Sequence, residues 1–221
     1  MNKTIGLTAA VEMIPDGASL MIGGFMGIGS PHRLIGELVR QGRKDLTVIA
    51  NDTARPGFGI GRLIDAKLVK HLVATHIGTN PETQRQLIAG ETIVELCPQG
   101  SLIERIRAGG YGLGGVLTPT GVGTTAAEGK KELEIEGKVY LLELPVKADF
   151  ALVAARRADY YGNLAYALTA RNFNPIIAMA GATVIAEAAE IVPVGVIPPD
   201  CVVTPGVLVD HLLEREKVNG R

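Results

Sequence analysis

Short apolar segments alternate with amphipathic segments four times in about the first 110 residues, and this alternation restricts the fold more than any other feature. The apolar segments span residues 20–23, 46–50, 68–75 and 92–97, and they have the length and aliphatic content of buried strands. Helical patterns lie between them, the clearest at residues 32–41. Short crossovers of this kind predict right-handed βαβ units in one mostly parallel sheet.

The second half of the chain has a different pattern. Residues 132–135 and 139–144 flank Glu136-Gly137, which predicts an antiparallel hairpin. Later strands are predicted at 150–154 and from 183, and residues 109–123 are predicted to form a long loop. We therefore expect an α/β fold. An open, mostly parallel sheet flanked by helices carries a small antiparallel β appendage, and residues 1–221 form a single domain.

Charge and composition exclude several functional classes. The net charge is −1 and the basic residues are not clustered, so we expect no nucleic-acid partner. Cys97 and Cys201 are far apart and are expected to be small buried hydrophobic residues. The chain shows no signal peptide and no apolar stretch of membrane-spanning length, so we expect a cytoplasmic protein without membrane contact. No metal site is expected either, because ligand spacing is missing among the histidines, which are His32, His71, His76 and His211.

A glycine-rich run at residues 16–31 carries the strongest functional signal. A turn and the apolar triplet at 20–22 lead into four glycines within seven residues, and Ser30-Pro31 then predicts a helix start with Ser30 as N-cap. This order brings backbone N–H groups and a helix N-terminus to one point, which favours binding of anions and developing oxyanions. The simpler interpretation is a tight strand-to-helix turn without a ligand.

Further polar groups follow the other strands. Ligands of parallel sheets bind beyond the carboxyl ends of the strands, so residues 24–30, 51–53, 76–80 and 98–100 are expected to meet. They supply hydrogen-bond donors such as Asn51 and Gln99. The sequence shows no nucleophile beside a base, as nucleophilic catalysis would require. Among the carboxylates, Glu37 is interpreted as part of a solvated helix face. These segments predict half of a site that binds and stabilises. The simpler interpretations are an Asx-turn at Asn51-Asp52 and a turn residue at Gln99.

The complete run at residues 16–31 resembles the signature of class I coenzyme A transferases. Each position that the signature specifies is matched, through Gly23-Gly24-Phe25 to Gly29 and Pro31. Residues 78–82, 98–110 and the segment Ala170-Arg171-Asn172-Phe173-Asn174 also look like this family, and the resemblance runs from about residue 7 to beyond residue 205. Length and content are similar to the alpha subunits of bacterial enzymes that act on acetate, butyrate and acetoacetate.

The resemblance implies transfer of coenzyme A from an acyl-CoA to a free short-chain carboxylate, without a metal. In this family a glutamate of the beta subunit, in a Ser-Glu-Asn-Gly motif, attacks the thioester, and this chain has no such motif. An α2β2 assembly with that beta subunit is implied. Gln99 matches a glutamine that stabilises the oxyanion, and Asn51 matches an active-site asparagine near the substrate carboxylate. The segment matched to CoA binding comprises Gly24, Phe25, Met26, Gly27, Ile28, Gly29 and Ser30.

Two other functions compete with this interpretation. A non-catalytic ligand-sensing domain could use the same fold, although no DNA-binding segment is expected beside it. A nucleotide-dependent oxidoreductase is disfavoured, because Gly57-Phe58-Gly59-Ile60-Gly61 does not complete the dinucleotide fingerprint. Asp52 is the nearest candidate for the ribose contact that such an enzyme needs.

Overall fold

The computed structural model describes residues 3–213, which contain twelve strands and six α-helices. The strands are β1 (Thr4–Ile5), β2 (Ser19–Ile22), β3 (Leu46–Ala50), β4 (Val69–Ala74), β5 (Ile93–Leu96), β6 (Val116–Thr118), β7 (Glu132–Ile135), β8 (Lys138–Glu143), β9 (Ala148–Asp159), β10 (Leu164–Ala165), β11 (Gly181–Val192) and β12 (His211–Leu213). The helices are α1 (Leu7–Glu12), α2 (His32–Gln41), α3 (Gly61–Asp65), α4 (Pro81–Ile88), α5 (Gln99–Tyr111) and α6 (Asn174–Ile177).

Most strands belong to one parallel sheet. Its order is β1-β12-β11-β9-β2-β3-β4-β5, each neighbouring pair is parallel, and β10 is added antiparallel to β9. The second sheet, β6-β8-β7, is antiparallel and contains the predicted hairpin. The predicted fold class is therefore confirmed.

Apolar layers cover both faces of the large sheet. Successive side chains of a strand point to opposite faces, and in β2 the side chains of Leu20 and Ile22 join one apolar cluster while Met21 joins the other. Residues of α1, α2 and α3 pack in the first cluster, and residues of α5 and α6 pack in the second. Burial of β2 and β3 on both faces explains why the sequence shows continuous apolar runs there rather than alternation.

Two long strands extend beyond their neighbours. β9 pairs with β11 from Ala148 to Asp159, but it pairs with β2 only as far as Leu152. The carboxyl half of β9 therefore projects past the edge at which β2 ends.

The region after β5 differs from the sequence prediction. Gln99-Gly100 does not form a turn but begins α5, which runs to Tyr111, and the predicted loop at 109–123 contains the end of this helix and strand β6. Gly109 lies inside α5. The position requires a glycine, because a Cβ there would be 2.1 Å from the Val146 carbonyl oxygen. A close contact with the chain entering β9 thus explains a glycine that suggested flexibility.

Two further side-chain expectations are corrected. Glu37 is buried rather than solvated, because its carboxylate accepts hydrogen bonds from Arg40 at 2.5 and 2.6 Å and from Gln41 at 2.8 Å. Cys97 is buried as expected, but Cys201 is exposed because it ends a short 3-10 turn between β11 and β12. Both cysteines are free thiols.

Candidate functional site

The segments that follow β2, β3, β4 and β5 meet at the carboxyl edge of the sheet, as predicted. Gln99 Nε2 donates a hydrogen bond to Asn51 Oδ1, and Asn51 Nδ2 donates to Asp52 Oδ2 at 2.6 Å. The same Asp52 oxygen accepts the backbone N–H of Met26 at 2.8 Å. These four residues, which we call the edge network, connect the glycine loop to the start of α5.

The edge network is anchored inside the protein and ends at its surface. Asn51 and Asp52 are 2% and 4% exposed, whereas Gln99 is exposed. Thr75, just after β4, supports Asn51 by donating its backbone N–H and its hydroxyl to the Asn51 carbonyl at 2.9 and 2.7 Å. An amide that reaches solvent is thus held by buried groups.

The position of Gln99 makes it a suitable donor to an oxyanion. Its NH₂ group carries two hydrogens, of which the bond to Asn51 uses one. Gln99 is also the first residue of α5, where Pro98 provides no side-chain cap and Gly100 is exposed. The positive end of the helix dipole therefore lies at the same place as the amide.

The glycine loop folds as a very tight hairpin. Phe25 and Ile28 exchange backbone hydrogen bonds of 3.0 and 2.9 Å, and Met26 and Gly27 between them have φ of +51° and +80°. The positive φ at Met26 is unusual for a residue with a side chain, and the bond from its N–H to Asp52 supports it. The apolar side chains of Phe25 and Ile28 are 41% and 58% exposed beside the edge network.

Close packing within the chain accounts for individual glycines of the loop. A Cβ on Gly24 would lie 2.2 Å from Ser30 Oγ, at a φ of +116°, and a Cβ on Gly27 would lie 2.5 Å from the Phe58 ring. These contacts agree with the simpler interpretation of the glycine cluster. The binding of CoA by residues 24–30 stays a prediction.

The start of α2 differs from the sequence-based expectation. Ser30 is buried but does not cap the helix, and Pro31 occupies the N-cap position without a side-chain bond. Instead, the carboxylate of Glu187 in β11 accepts the backbone N–H groups of Arg33 and Leu34 at 3.0 and 3.1 Å. A carboxylate of the chain itself therefore accepts two of the N–H groups at this helix start, and binding of an external anion by the loop before it stays a prediction.

Asn174 is a structural residue whose role sequence reasoning missed. Its Oδ1 accepts the Ala154 N–H at 2.8 Å, and its Nδ2 donates to the carbonyls of Gly29 and Ala170, both at 2.9 Å. One amide thus ties the glycine loop to β9 and to the turn before α6. Asn174 belongs to a segment that resembles the family, but no local pattern indicates these distant partners.

Asp52 does not have the free carboxylate that a ribose contact requires. Oδ2 accepts two hydrogen bonds within the edge network, and Oδ1 accepts the backbone N–H of Ala54 at 2.7 Å. The carboxylate is also buried. This geometry argues further against a dinucleotide-dependent oxidoreductase.

Residues 3–213 also bear on metal binding and on membrane insertion. Within this range no group of three or more His, Cys, Asp or Glu side chains is arranged to hold a metal ion. None of the helices in the same range has both the length and the apolar content to cross a bilayer.

Comparisons with known proteins agree with the sequence motifs. The family described as Coenzyme A transferase matches residues 5–215. The acetate CoA-transferase subunit alpha of Escherichia coli K12 is 54% identical over 212 residues, which cover 96% of each chain. The acetoacetyl-CoA:acetate/butyrate CoA transferase alpha subunit of Clostridium acetobutylicum is 50% identical, over 96% of this chain and 98% of its own length.

Solved structures agree on the fold. An acyl-CoA transferase of Escherichia coli O157:H7, solved as a thioester complex with CoA, superposes with a TM-score of 0.85 at 24% identity. The match covers 97% of this chain and 47% of the other, so the chain spans about half the length of that protein. Because the family match spans residues 5–215 and both relatives align over nearly their whole length, the chain belongs to the coenzyme A transferase family.

Proposed function

We propose that the chain is the alpha subunit of a CoA-transferase that moves CoA from a short-chain acyl-CoA to a free carboxylate such as acetate or acetoacetate. The names of the two relatives support the subunit and the substrate class. The observation that carries the proposal is the edge network, which presents the exposed amide of Gln99 from a buried support.

The chemistry requires stabilisation of negative charge more than proton transfer. In the proposed reaction a carboxylate oxygen of the partner's glutamate attacks the thioester carbonyl, a tetrahedral oxyanion forms, and the C–S bond breaks to release CoA thiolate and an acyl–glutamyl anhydride. The thiolate then attacks the glutamyl carbonyl, which releases the first acid and leaves a glutamyl-CoA thioester for the acceptor carboxylate. In this proposal the second N–H of Gln99 donates to that oxyanion, and a neutral amide suits a site that already holds carboxylates.

Asn51 acts in this proposal through Gln99. One of its amide hydrogens is directed to Asp52 and its oxygen to Gln99, so it fixes which side of the Gln99 amide faces the substrate. We infer that Asn51 is a positioning residue as well as a neighbour of the substrate carboxylate.

The loop at residues 24–30 is proposed to face the acyl-CoA. The exposed Phe25 and Ile28 provide an apolar wall on either side of Met26, which belongs to the edge network, and a pantetheine arm or the partner subunit can cover this wall. The Met26 N–H bond to Asp52 couples the position of this wall to the edge network.

Partner, organisation and location complete the proposal. We propose an α2β2 assembly with a beta subunit that supplies the glutamate, and one domain over residues 1–221. We also propose a cytoplasmic location, which the two free thiols fit because the cytoplasm is reducing.

The test is transfer activity with and without a beta subunit. The purified chain mixed with acetyl-CoA and acetoacetate should be inactive, and addition of a beta subunit that carries Ser-Glu-Asn-Gly should give acetoacetyl-CoA. A ligand-sensing domain would bind a small molecule but give no product with any beta subunit, and an oxidoreductase would need a nicotinamide cofactor for turnover.

A further inference from the structure

A cluster of ionic contacts around Arg105 holds α5, the helix that begins with Gln99, against two other elements. Arg105 lies in the middle of α5, and its side chain is 14% exposed. Its guanidinium group donates a hydrogen bond to Glu95 of β5 at 2.6 Å and another to the Leu144 carbonyl, just after β8, at 3.1 Å. The function described so far assigns no role to this side chain.

The cluster reaches the connection that leads from β5 into α5. The guanidinium nitrogen that binds Glu95 also donates to the thiol sulfur of Cys97 at 3.6 Å. Cys97 is buried and lies between β5 and Gln99 in the chain. The backbone carbonyl of Arg105 accepts the Val146 N–H at 3.0 Å, just before β9. One residue therefore fixes α5 both to the segment that precedes it and to the segment that enters β9.

Neighbouring charges and a cavity define how Arg105 is held. Glu143 of β8 is 2% exposed, and its carboxylate binds Lys130 at 2.6 Å and lies 3.8 Å from Arg105 Nε. A cavity of about 290 Å³ borders these groups, so the position of Arg105 depends on directed hydrogen bonds more than on close packing. Because Lys130 still pairs with Glu143 when Arg105 is replaced, the cluster can lose the guanidinium group without leaving a buried carboxylate alone.

We propose that Arg105 is a positioning residue for the transfer reaction and acts through Gln99. The inference rests on the proposed function. From Gln99 to Arg105 an α-helix advances about 9 Å, so a shift or rotation of α5 at Arg105 is passed to the Gln99 amide. The second N–H of this amide faces the oxyanion only while α5 keeps its position against β5. A displacement of about 1 Å at a catalytic group can cost about a hundredfold in rate.

The test measures kcat and KM for transfer from acetyl-CoA to acetoacetate by the complex assembled with a wild-type beta subunit. Arg105→Gln removes the charge and the planar guanidinium group, whereas Arg105→Lys keeps the charge alone. Glu95→Gln weakens the same contact from the other side, and it removes a charge that faces solvent, since the Glu95 side chain is 51% exposed. Arg107→Gln is the matched control, because Arg107 lies on the same helix and its ion pair with Glu104, at 3.0 Å, stays within α5.

We expect Arg105→Gln to lower kcat by about tenfold to a hundredfold with little change in KM. Arg105→Lys and Glu95→Gln should lower kcat by smaller factors, and Arg107→Gln should leave it unchanged. Each substitution is then repeated in a Gln99→Ala chain. There Arg105→Gln should cause almost no further loss, because the amide that Arg105 positions is gone. A merely structural role would give the same fold loss in both backgrounds.

Three results would overturn the inference: an unchanged kcat in Arg105→Gln, an equal loss with and without Gln99, or a loss confined to KM. If Arg105→Gln does not assemble with the beta subunit, Glu95→Gln, alone and combined with Gln99→Ala, decides by the same criteria. Absence of transfer by the wild-type complex would contradict the proposed function instead. The two failures are distinguishable, because the inference is tested by ratios of kcat measured on an active enzyme.

Discussion

Replacing Asp52 with asparagine changes one atom at the centre of the edge network. The Asp52 carboxylate accepts three N–H groups, those of Met26 and the Asn51 amide on Oδ2 at 2.8 and 2.6 Å, and that of Ala54 on Oδ1 at 2.7 Å. Asparagine offers one oxygen, so its NH₂ group must face at least one of these donors. The site is 4% exposed, so water cannot accept the displaced hydrogen bond freely.

The energetic cost of this substitution follows from the number of bonds affected. A buried donor left without an acceptor costs about 1–3 kcal/mol. The two remaining bonds also lose the charge that makes such bonds roughly twice as strong as neutral ones. We therefore expect Asp52→Asn to lower the free energy of unfolding by about 2–4 kcal/mol. Turnover of the assembled enzyme should fall as well, because Asn51 would hold Gln99 less firmly.

Two measurements test this reasoning. Urea unfolding of the purified chain gives the change in stability, and the rate of acetoacetyl-CoA formation by the assembled enzyme gives the change in turnover. Asp65→Asn is the control, since Asp65 is exposed and accepts one hydrogen bond, from the Gly57 N–H at 2.6 Å, and it should change both quantities little. An Asp52→Asn chain as stable as the wild type would refute the shared-acceptor argument, and a destabilised chain with full turnover would refute the positioning of Gln99.

Three other perturbations probe the site and the fold. Gln99→Ala, assembled with a wild-type beta subunit, should lower kcat by about tenfold to a thousandfold, the range for loss of one oxyanion donor; an unchanged kcat would remove Gln99 from the mechanism. Gly24→Val should weaken CoA affinity or assembly, because a side chain there meets Ser30 Oγ at a φ of +116°; calorimetry and gel filtration that both match the wild type would contradict this. Hydrogen bonds from Arg40 lower the pKa of Glu37 from 4.5 to about 2, so its stabilising effect is complete above pH 4.5 and is lost as the pH falls toward 2. Glu37→Gln should therefore flatten the acid side of a stability–pH curve in this window, and an unaltered curve would argue against the ion pair.

The parallel sheet was predictable because β2 and β3, inside the sheet, are largely buried on both faces. β3 and α2 have the bounds that the sequence indicates, since an aliphatic run and a 3.6-residue apolar period each specify one element. The meeting of Asn51 and Gln99, 48 residues apart, was also predictable, because the carboxyl ends of parallel strands share an edge.

Other features depend on contacts that no local pattern encodes. Glu187 and Arg33 lie 154 residues apart, and nothing near either residue indicates that a carboxylate of β11 will reach the start of α2. The start of α5 differs from the sequence prediction because Pro98 and Gly100 favour a turn locally, whereas packing of Leu102 and Ile106 in the core favours the helix. The short strands β1 and β12 pair with each other, and neither has enough residues to show a period.

In the proposed reaction, the edge network also bears on which part of the enzyme can adapt to different acids. Its hydrogen bonds are present without any substrate, so a donor at Gln99 would carry little reorganisation cost during the reaction. A rigidly supported donor stabilises the transition states of different acyl groups to the same extent, because every thioester develops the same oxyanion. We therefore propose that discrimination between carboxylate substrates falls to surfaces outside the network, including those of the beta subunit. Pairing this chain with beta subunits from different relatives should consequently shift substrate preference while the catalytic contribution of Gln99 stays constant.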